Sequence, residues 1–287
     1  MGSFSILNNV SAINAQNQLN INNVNLTRTL LRLSSGKRIN TGGDDAAGLQ
    51  IADSLRANTF ALDQAVRNAN DGIGVCQIAD GALQEMTNLL TRAVTLAEEA
   101  ATETVDDAGR TSLNNEFSSI EAEIARIANK TNFNGYSIFN AGEGIDGSLV
   151  VFVGDIAESS SISVTISTIT ADAAAGTVTG LGSANLGNVD LTTSTAAAGS
   201  LDDIKAALSA VSDMRGEIGA GMNRLQSAVN VLQITSQNTV AAESSIRDAN
   251  IAQEIANLTK FQILAQSGMA ALAQANSNSQ NVLSLLR

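Results

Sequence analysis

The chain has 287 residues, with 28 acidic against 16 basic side chains, a net charge of −12, no histidine, no proline, no tryptophan and a single cysteine, Cys76. This balance argues against a nucleic-acid partner, because neutralising phosphates needs clustered Lys and Arg. The missing histidine removes the commonest general base and metal ligand, one cysteine makes neither an internal disulfide nor a Cys-rich zinc site, and no run of about 20 apolar residues is present to span a membrane.

No catalytic, metal or cofactor residue is therefore assigned, and the chain is read as a non-enzyme. Hydrophobic residues make up 44% of it but aromatics only 3%. Such a palette of Ala, Leu, Ile and Val packs narrow helix–helix seams better than it lines a ligand pocket. The lack of proline suits long, uninterrupted helices.

Residues 1–43 contain Arg28, Arg32, Lys37 and Arg38 but no Asp or Glu. Acid-poor amphipathic starts of this kind also occur in organelle transit peptides, but here the helical pattern runs on without a change of style. From Ala12 a spacing of three and four passes through Gln16, Leu19, Asn23, Leu26, Leu30 and Leu33, a heptad-like stripe with polar interruptions. Asp44-Asp45 follows, at the start of the next helix, where acids favour the macrodipole. Residues 44–100 then carry Ile51, Leu55, Leu62, Val66, Ala69, Ile73, Cys76 and Leu83 at helical spacing. Cys76 falls on that stripe as a small core residue. A third helix is predicted over 107–128, through Leu113, Phe117, Ile120, Ile124 and Ile127.

The middle, 131–200, changes character. Asn134-Gly135 between Phe133 and Tyr136 is a hairpin-turn signal. Residues 148–153 and 161–169 alternate with period two and are predicted as strands, and 170–200 as a short β or loop element. Helical spacing resumes over 201–234 through Ile204, Leu208, Val211, Ile218, Leu225, Val229 and Leu232. Gly216, Gly219 and Gly221 loosen that helix, each by up to about 1 kcal/mol relative to Ala. The last stripe runs through Ile251, Ile255, Leu258, Gln262, Ala265, Met269, Leu272, Asn276, Ser279, Leu283 and Leu286.

A helix with one apolar stripe cannot bury it alone. Pairing the two remote ends as an antiparallel coiled coil is the simplest solution. The expected fold is mainly α: a terminal antiparallel coiled coil (1–43 with 245–287) and an elongated helical rod (44–244) with a small β-hairpin region at 131–200. The expected polymerisation seam is Leu19, Leu26, Leu30, Leu33, Ile255, Leu258, Met269, Leu272, Leu283 and Leu286. Ile13, Ile21 and Val24 on one helix, and Phe261, Leu264 and Ala271 on the other, are expected to face outward as an assembly surface.

Specific strings then carry a resemblance. Residues 33–56 (LSSGKRINTGGDDAAGLQIADSLR), 68–72 (NANDG), 131–135 (TNFNG), 241–248 (AAESSIRD) and 281–287 (NVLSLLR) closely resemble bacterial flagellins, in the same order. The resemblance covers about 1–140 and 201–287. It departs at Gly42-Gly43, where the family often has Ala-Lys, so a salt-bridge partner for Asp44 or Asp45 is expected to be lost.

The resemblance implies a short flagellin lacking large outer domains. It implies a homopolymeric filament for motility, export through the flagellar apparatus to an extracellular location, a chaperone on the C-terminal segment and a cap protein at the filament tip. It also implies contact with a toll-like innate receptor at Arg92, Leu96 and Glu116. Serines and threonines of 159–200 are read as glycosylation acceptors by the same resemblance. The alternatives are a hook–filament junction protein, or a secreted adhesin or immune ligand acting as a monomer.

Overall fold

The computed structural model describes residues 9–140, 144–145, 147–154, 160–172, 177–178, 181 and 185–285. In chain order these form helices α1 (Val10–Ser35), α2 (Ala46–Ala101) and α3 (Asp107–Lys130), and strands β1 (Asn132–Phe133), β2 (Tyr136–Ser137), β3 (Ser148–Phe152), β4 (Ser161–Thr165), β5 (Ala171–Asp172) and β6 (Thr177–Val178). A 3₁₀ turn at Leu186–Asn188, α4 (Ser194–Arg247) and α5 (Ile251–Leu285) follow. The fold is mainly α, as expected. One helix differs in detail: α4 starts at Ser194 rather than 201, because Ala196–Ala198 continue the helix and Thr193 caps it, its hydroxyl accepting from the Ala196 N–H at 3.2 Å. The chain divides into two compact units, 1–59 with 237–287, and 60–236.

In the first unit α1 packs against α5, and local chemistry sets both ends of α1. The Asn9 carboxamide accepts from the Ala12 N–H at 3.1 Å and donates from Nδ2 to the Ala275 carbonyl at 3.0 Å. One side chain thus caps α1 and ties it to α5. Gly36 ends the helix with φ +70°, the left-handed C-cap that glycine adopts without steric cost. Residues 36–39 then run beside 246–249. Arg38 N–H donates to the Arg247 carbonyl at 2.6 Å, Ala249 N–H to the Gly36 carbonyl at 2.9 Å, and the Arg38 guanidinium to the Ile246 carbonyl at 2.7 Å.

In the second unit α2, α3 and α4 share one core that includes Leu83, Met86, Leu90, Phe117, Ile120, Ile124, Ile204, Val211, Ile218 and Leu225. Cys76 is fully buried within it, and burial pushes its thiol up. It is a packing residue, not a nucleophile. Asp106 caps α3, accepting from the Gly109 N–H at 2.8 Å.

Three antiparallel two-stranded ladders occur among the described residues: β1–β2, β3–β4 and β5–β6. In the first, Asn134 (φ +51°) and Gly135 (φ +84°) form a two-residue loop of type I′, as the Asn-Gly pair predicts. In the second, Ser148 pairs with Thr165 and Phe152 with Ser161, so the strand predicted to reach Ile169 stops pairing at Thr165. Ile166 and Ile169 are nonetheless buried in the core.

The β3–β4 hairpin lies on two glycines. A Cβ at Gly72 would stand 2.6 Å from Val151 Cγ2, and one at Gly221 would stand 2.4 Å from Val164 Cγ1. Gly221 is therefore a contact surface rather than a loosening residue, whereas nothing lies within 4 Å of a Cβ at Gly216 or Gly219. Asn68 and Arg224 also donate to the strand carbonyls of Phe152 (3.2 Å) and Ser163 (3.4 Å). Gly221→Ala is expected to destabilise the unit by about 1–2 kcal/mol net, since overpacking a stiff β-branched neighbour outweighs the helix-propensity gain. Gly216→Ala should stabilise it by up to about 1 kcal/mol. Urea unfolding of both variants checks the pair, and equal shifts would show that the close approach is unimportant.

Candidate assembly interface

The seam between α1 and α5, half-buried except at the buried Thr29 and Glu254, follows a strict three–four alternation. On α1 it passes through Ala12, Ala15, Leu19, Asn22, Leu26, Thr29 and Leu33. On α5 it passes through Glu254, Leu258, Phe261, Ala265, Gly268, Leu272 and Ala275. The helices run antiparallel: Asn9 meets Ala275, Leu19 lies on Gly268 (3.3 Å from the position of an added Cβ), and Arg32 faces Glu254 at 3.6 Å.

Leu19, Leu26, Leu33, Leu258 and Leu272, expected in the polymerisation seam, lie in this intrachain α1–α5 seam. Leu30, Ile255 and Met269 do not: they are 48%, 49% and 55% exposed. In both helices the sequence reading set alternate layers one residue too late, choosing Leu30 over Thr29, Ile255 over Glu254 and Met269 over Gly268. The large apolar residue is the stronger signal in sequence, but a small one lets the helices approach. Phe261, expected outside, is in the seam in place of Gln262. The side chain of Leu283 and all of Leu286 lie outside the described residues.

What the seam rejects becomes an outer face. Val10, Ile13, Ile21, Val24, Leu30 and Leu31 on α1 are exposed, as are Ile251, Ile255, Ile263, Leu264 and Met269 on α5. Charge on these helices is sparse: α1 carries only Arg28 and Arg32, and α5 only Glu254 and Lys260. Large apolar residues in such numbers on two paired helices mark an interaction surface.

The turn joining α1 to α2 is held by charge. Asp44 accepts from the Thr41 N–H and hydroxyl, each at 3.1 Å, and from the Asn40 N–H at 3.3 Å. Arg28 and Arg32 stand 3.7 Å away, so the ion-pair partner expected to be lost with Gly42-Gly43 is supplied by α1. Asp45 caps α2, accepting from the Gly48 N–H at 2.9 Å.

The Thr41 N–H, followed by the Asn40 N–H, the Thr41 hydroxyl and the Arg32 charge, holds the Asp44 carboxyl below its ordinary value, with partial burial opposing. A depressed carboxyl contributes stability that is present above its unfolded pKa of about 3.9 and is lost as pH falls through the folded value. Light scattering of assembled protein should therefore show acid dissociation setting in below about pH 4, with a shallower pH dependence in Asp44→Asn. Identical profiles would remove Asp44 from that role.

On the second unit, Arg92 of α2 pairs with Glu116 of α3 through Nε at 2.9 Å and a terminal nitrogen at 2.7 Å, both side chains being about half exposed. Leu96, grouped with them from the sequence, is fully buried in the core. Its i, i+4 relation to Arg92 does not place it on the same exposed surface. Sequence reasoning missed Arg110, which is buried although charged. Its Nε donates to the Ala100 carbonyl at 3.0 Å and a terminal nitrogen to the Thr102 carbonyl at 3.0 Å, so it caps the C-terminal end of α2 from a neighbouring helix. Glu121 is also buried although charged. Burial pushes its carboxyl up, and the Val178 N–H donating to it at 3.0 Å opposes this in part.

Two family models match the chain: the bacterial flagellin N-terminal helical region over residues 6–143 and the bacterial flagellin C-terminal helical region over residues 201–286. The chain belongs to the bacterial flagellin family. A flagellin of Treponema pallidum (strain Nichols) is 38% identical over 289 residues, spanning 98% of this chain and 99% of the relative. The flagellar filament 31.3 kDa core protein of Treponema maltophilum is 36% identical over 290 residues, with the same coverage. The crystal structure of Bacillus cereus flagellin matches 62% of this chain and 94% of its own at 24% identity, with a TM-score of 0.48.

This flagellin is a structural subunit that polymerises into the flagellar filament, an extracellular assembly of many copies. No helix among the described residues is long and apolar enough to cross a membrane.

Proposed function

We propose that the outer face of the α1–α5 pair is the surface through which copies of this flagellin polymerise, and that it is covered only in the filament. The observation that carries this is the row of exposed Ile13, Ile21, Val24, Leu30, Ile255, Ile263 and Met269 on two helices with almost no charge. Identical subunits joined head to tail by a non-closing contact make a helical polymer, so this face meets a different surface on each neighbour. Ordering roughly 80 terminal residues costs about 1–2 kcal/mol each in backbone entropy. At about 25 cal/mol per Å² of apolar area, offsetting that takes thousands of Å² per subunit. Several neighbours supply such an area, and a single intrachain seam does not.

The free monomer is accordingly expected to have unfolded termini. Circular dichroism should show a gain of helix on polymerisation, with micrometre-scale tubes in the electron microscope. Helix content equal in monomer and polymer would refute the disorder, and the absence of tubes would refute the assembly surface.

On this reading residues 1–43 and 245–287 serve as the assembly domain and 44–244 as the helical rod domain. Export proceeds through the flagellar apparatus with the termini unfolded. A chaperone shields the apolar C-terminal segment before assembly, and a cap protein assists folding at the tip. The protein has no enzymatic role. A toll-like innate receptor contacts the Arg92–Glu116 pair, with Leu96 supporting the surface from beneath. Receptor activation unchanged by Arg92→Ala would overturn that last contact.

A further inference from the structure

We propose that Asn134 is a site of spontaneous covalent modification, in which the β1–β2 loop deamidates itself and leaves an isoaspartyl or aspartyl residue. The pair Asn134-Gly135 is the only Asn-Gly in the chain, and both residues are exposed at the tip of the hairpin. The ladder pairs Asn132 with Ser137 and Phe133 with Tyr136, so the two loop residues stand outside the pairing. Gly135 has no side chain to obstruct its own nitrogen, and nothing lies within 4 Å of the position its Cβ would take. The turn demands Asn-Gly because both φ angles are positive; the geometry that makes the hairpin also supplies the most reactive dipeptide available for this chemistry.

The step balances with water alone. The Gly135 backbone nitrogen attacks Cγ of Asn134 and gives up its proton, the side-chain amide leaves as ammonia, and a five-membered succinimide forms. Solvent water then opens the ring at one of its two carbonyls. Opening at the backbone carbonyl leaves isoaspartate, in which the chain runs through Cβ and Cγ; opening at the side-chain carbonyl leaves ordinary aspartate. No oxidant or cofactor takes part.

The consequence is local and irreversible. Isoaspartate adds one carbon to the backbone of a two-residue loop, and a type I′ turn has no slack for it while Phe133 remains opposite Tyr136. Either product also places a carboxylate between two exposed aromatic residues. The hairpin thereby records the age of the subunit, independently of how the copies assemble.

The test is incubation of the full-length folded chain at pH 7 and pH 8.5, with peptide mass mapping that separates aspartate from isoaspartate by fragmentation. Conversion at Asn134 should exceed that at Asn132 and Asn140 by on the order of tenfold, because glycine alone leaves the attacking nitrogen unhindered. It should rise with pH and be abolished in Asn134→Gln, whose longer side chain would need a six-membered ring. Amide exchange should show loss of protection at Phe133 and Tyr136 in the converted fraction. Conversion at Asn134 no faster than at its neighbours in the folded chain, but faster in urea, would mean that the turn protects the bond, and would overturn the proposal.

Discussion

Glutamate at both Ile263 and Met269 is expected to abolish polymerisation while leaving the 60–236 unit as stable as before. Both side chains are more than half exposed on α5, and neither belongs to the seam through Leu258, Phe261, Ala265, Gly268 and Leu272. The α1–α5 pair therefore loses no buried contact. On the assembly surface proposed above the same positions would be covered by neighbouring copies, and a carboxylate buried there without a partner costs several kcal/mol. Two such carboxylates per subunit, at about 4 kcal/mol together after solvent leakage, raise the critical concentration about a thousandfold, since each 1.4 kcal/mol is tenfold. Sedimentation reads the critical concentration and thermal unfolding the stability of the 60–236 unit. Leucine at both positions serves as the control and should polymerise. Normal tubes from the double glutamate variant would sink the assembly surface, whereas loss of the 60–236 unit's own transition would mean that the substitution acts through folding instead.

Arg110→Ala is the second large effect, and it falls on folding rather than assembly. The helix it caps has no glycine at its end and no basic residue in its last turn. The carbonyls of Ala100 and Thr102 therefore depend on a guanidinium delivered from α3. Removing it leaves two acceptors short of a charged donor at the negative end of a 56-residue helix. Hydrogen bonds to charged groups contribute about 1.5–3 kcal/mol each, so a loss of about 3 kcal/mol is expected in urea unfolding. Arg110→Lys should recover only part, because a single ammonium does not fork between two carbonyls as a planar guanidinium does. A loss under about 1 kcal/mol for the alanine variant would mean that solvent replaces the cap.

The two predictions draw on different kinds of information. The stripes that pair α1 with α5 were visible in the sequence because every seventh position, Leu19, Leu26, Leu33 on one helix and Leu258, Ala265, Leu272 on the other, is apolar. The intervening layer was not, since Thr29, Gly268 and Glu254 are small or polar while their neighbours Leu30, Met269 and Ile255 are large and apolar. Hydrophobicity ranks the neighbour higher; close packing of two helix backbones selects Thr29 and Gly268, and the ion pair with Arg32 at 3.6 Å selects Glu254. The Asn134-Gly135 turn was legible for a purely local reason, because few dipeptides tolerate two positive φ angles. Arg110, Glu121 and Gly221 were illegible for the opposite reason: each acts on a segment distant in sequence, and nothing in its own neighbourhood announces the partner.

The sequence by itself determined the helical character, the pairing of the two ends, the hairpin turn and the family, because periodicity, the missing proline and fixed motif strings are local or directly countable. Only the tertiary structure decided which layer of each stripe is buried, which glycine is a contact surface and which charged residue is a cap. Those choices depend on the distance between elements far apart along the chain, and a linear pattern of residue types carries no distance between remote segments.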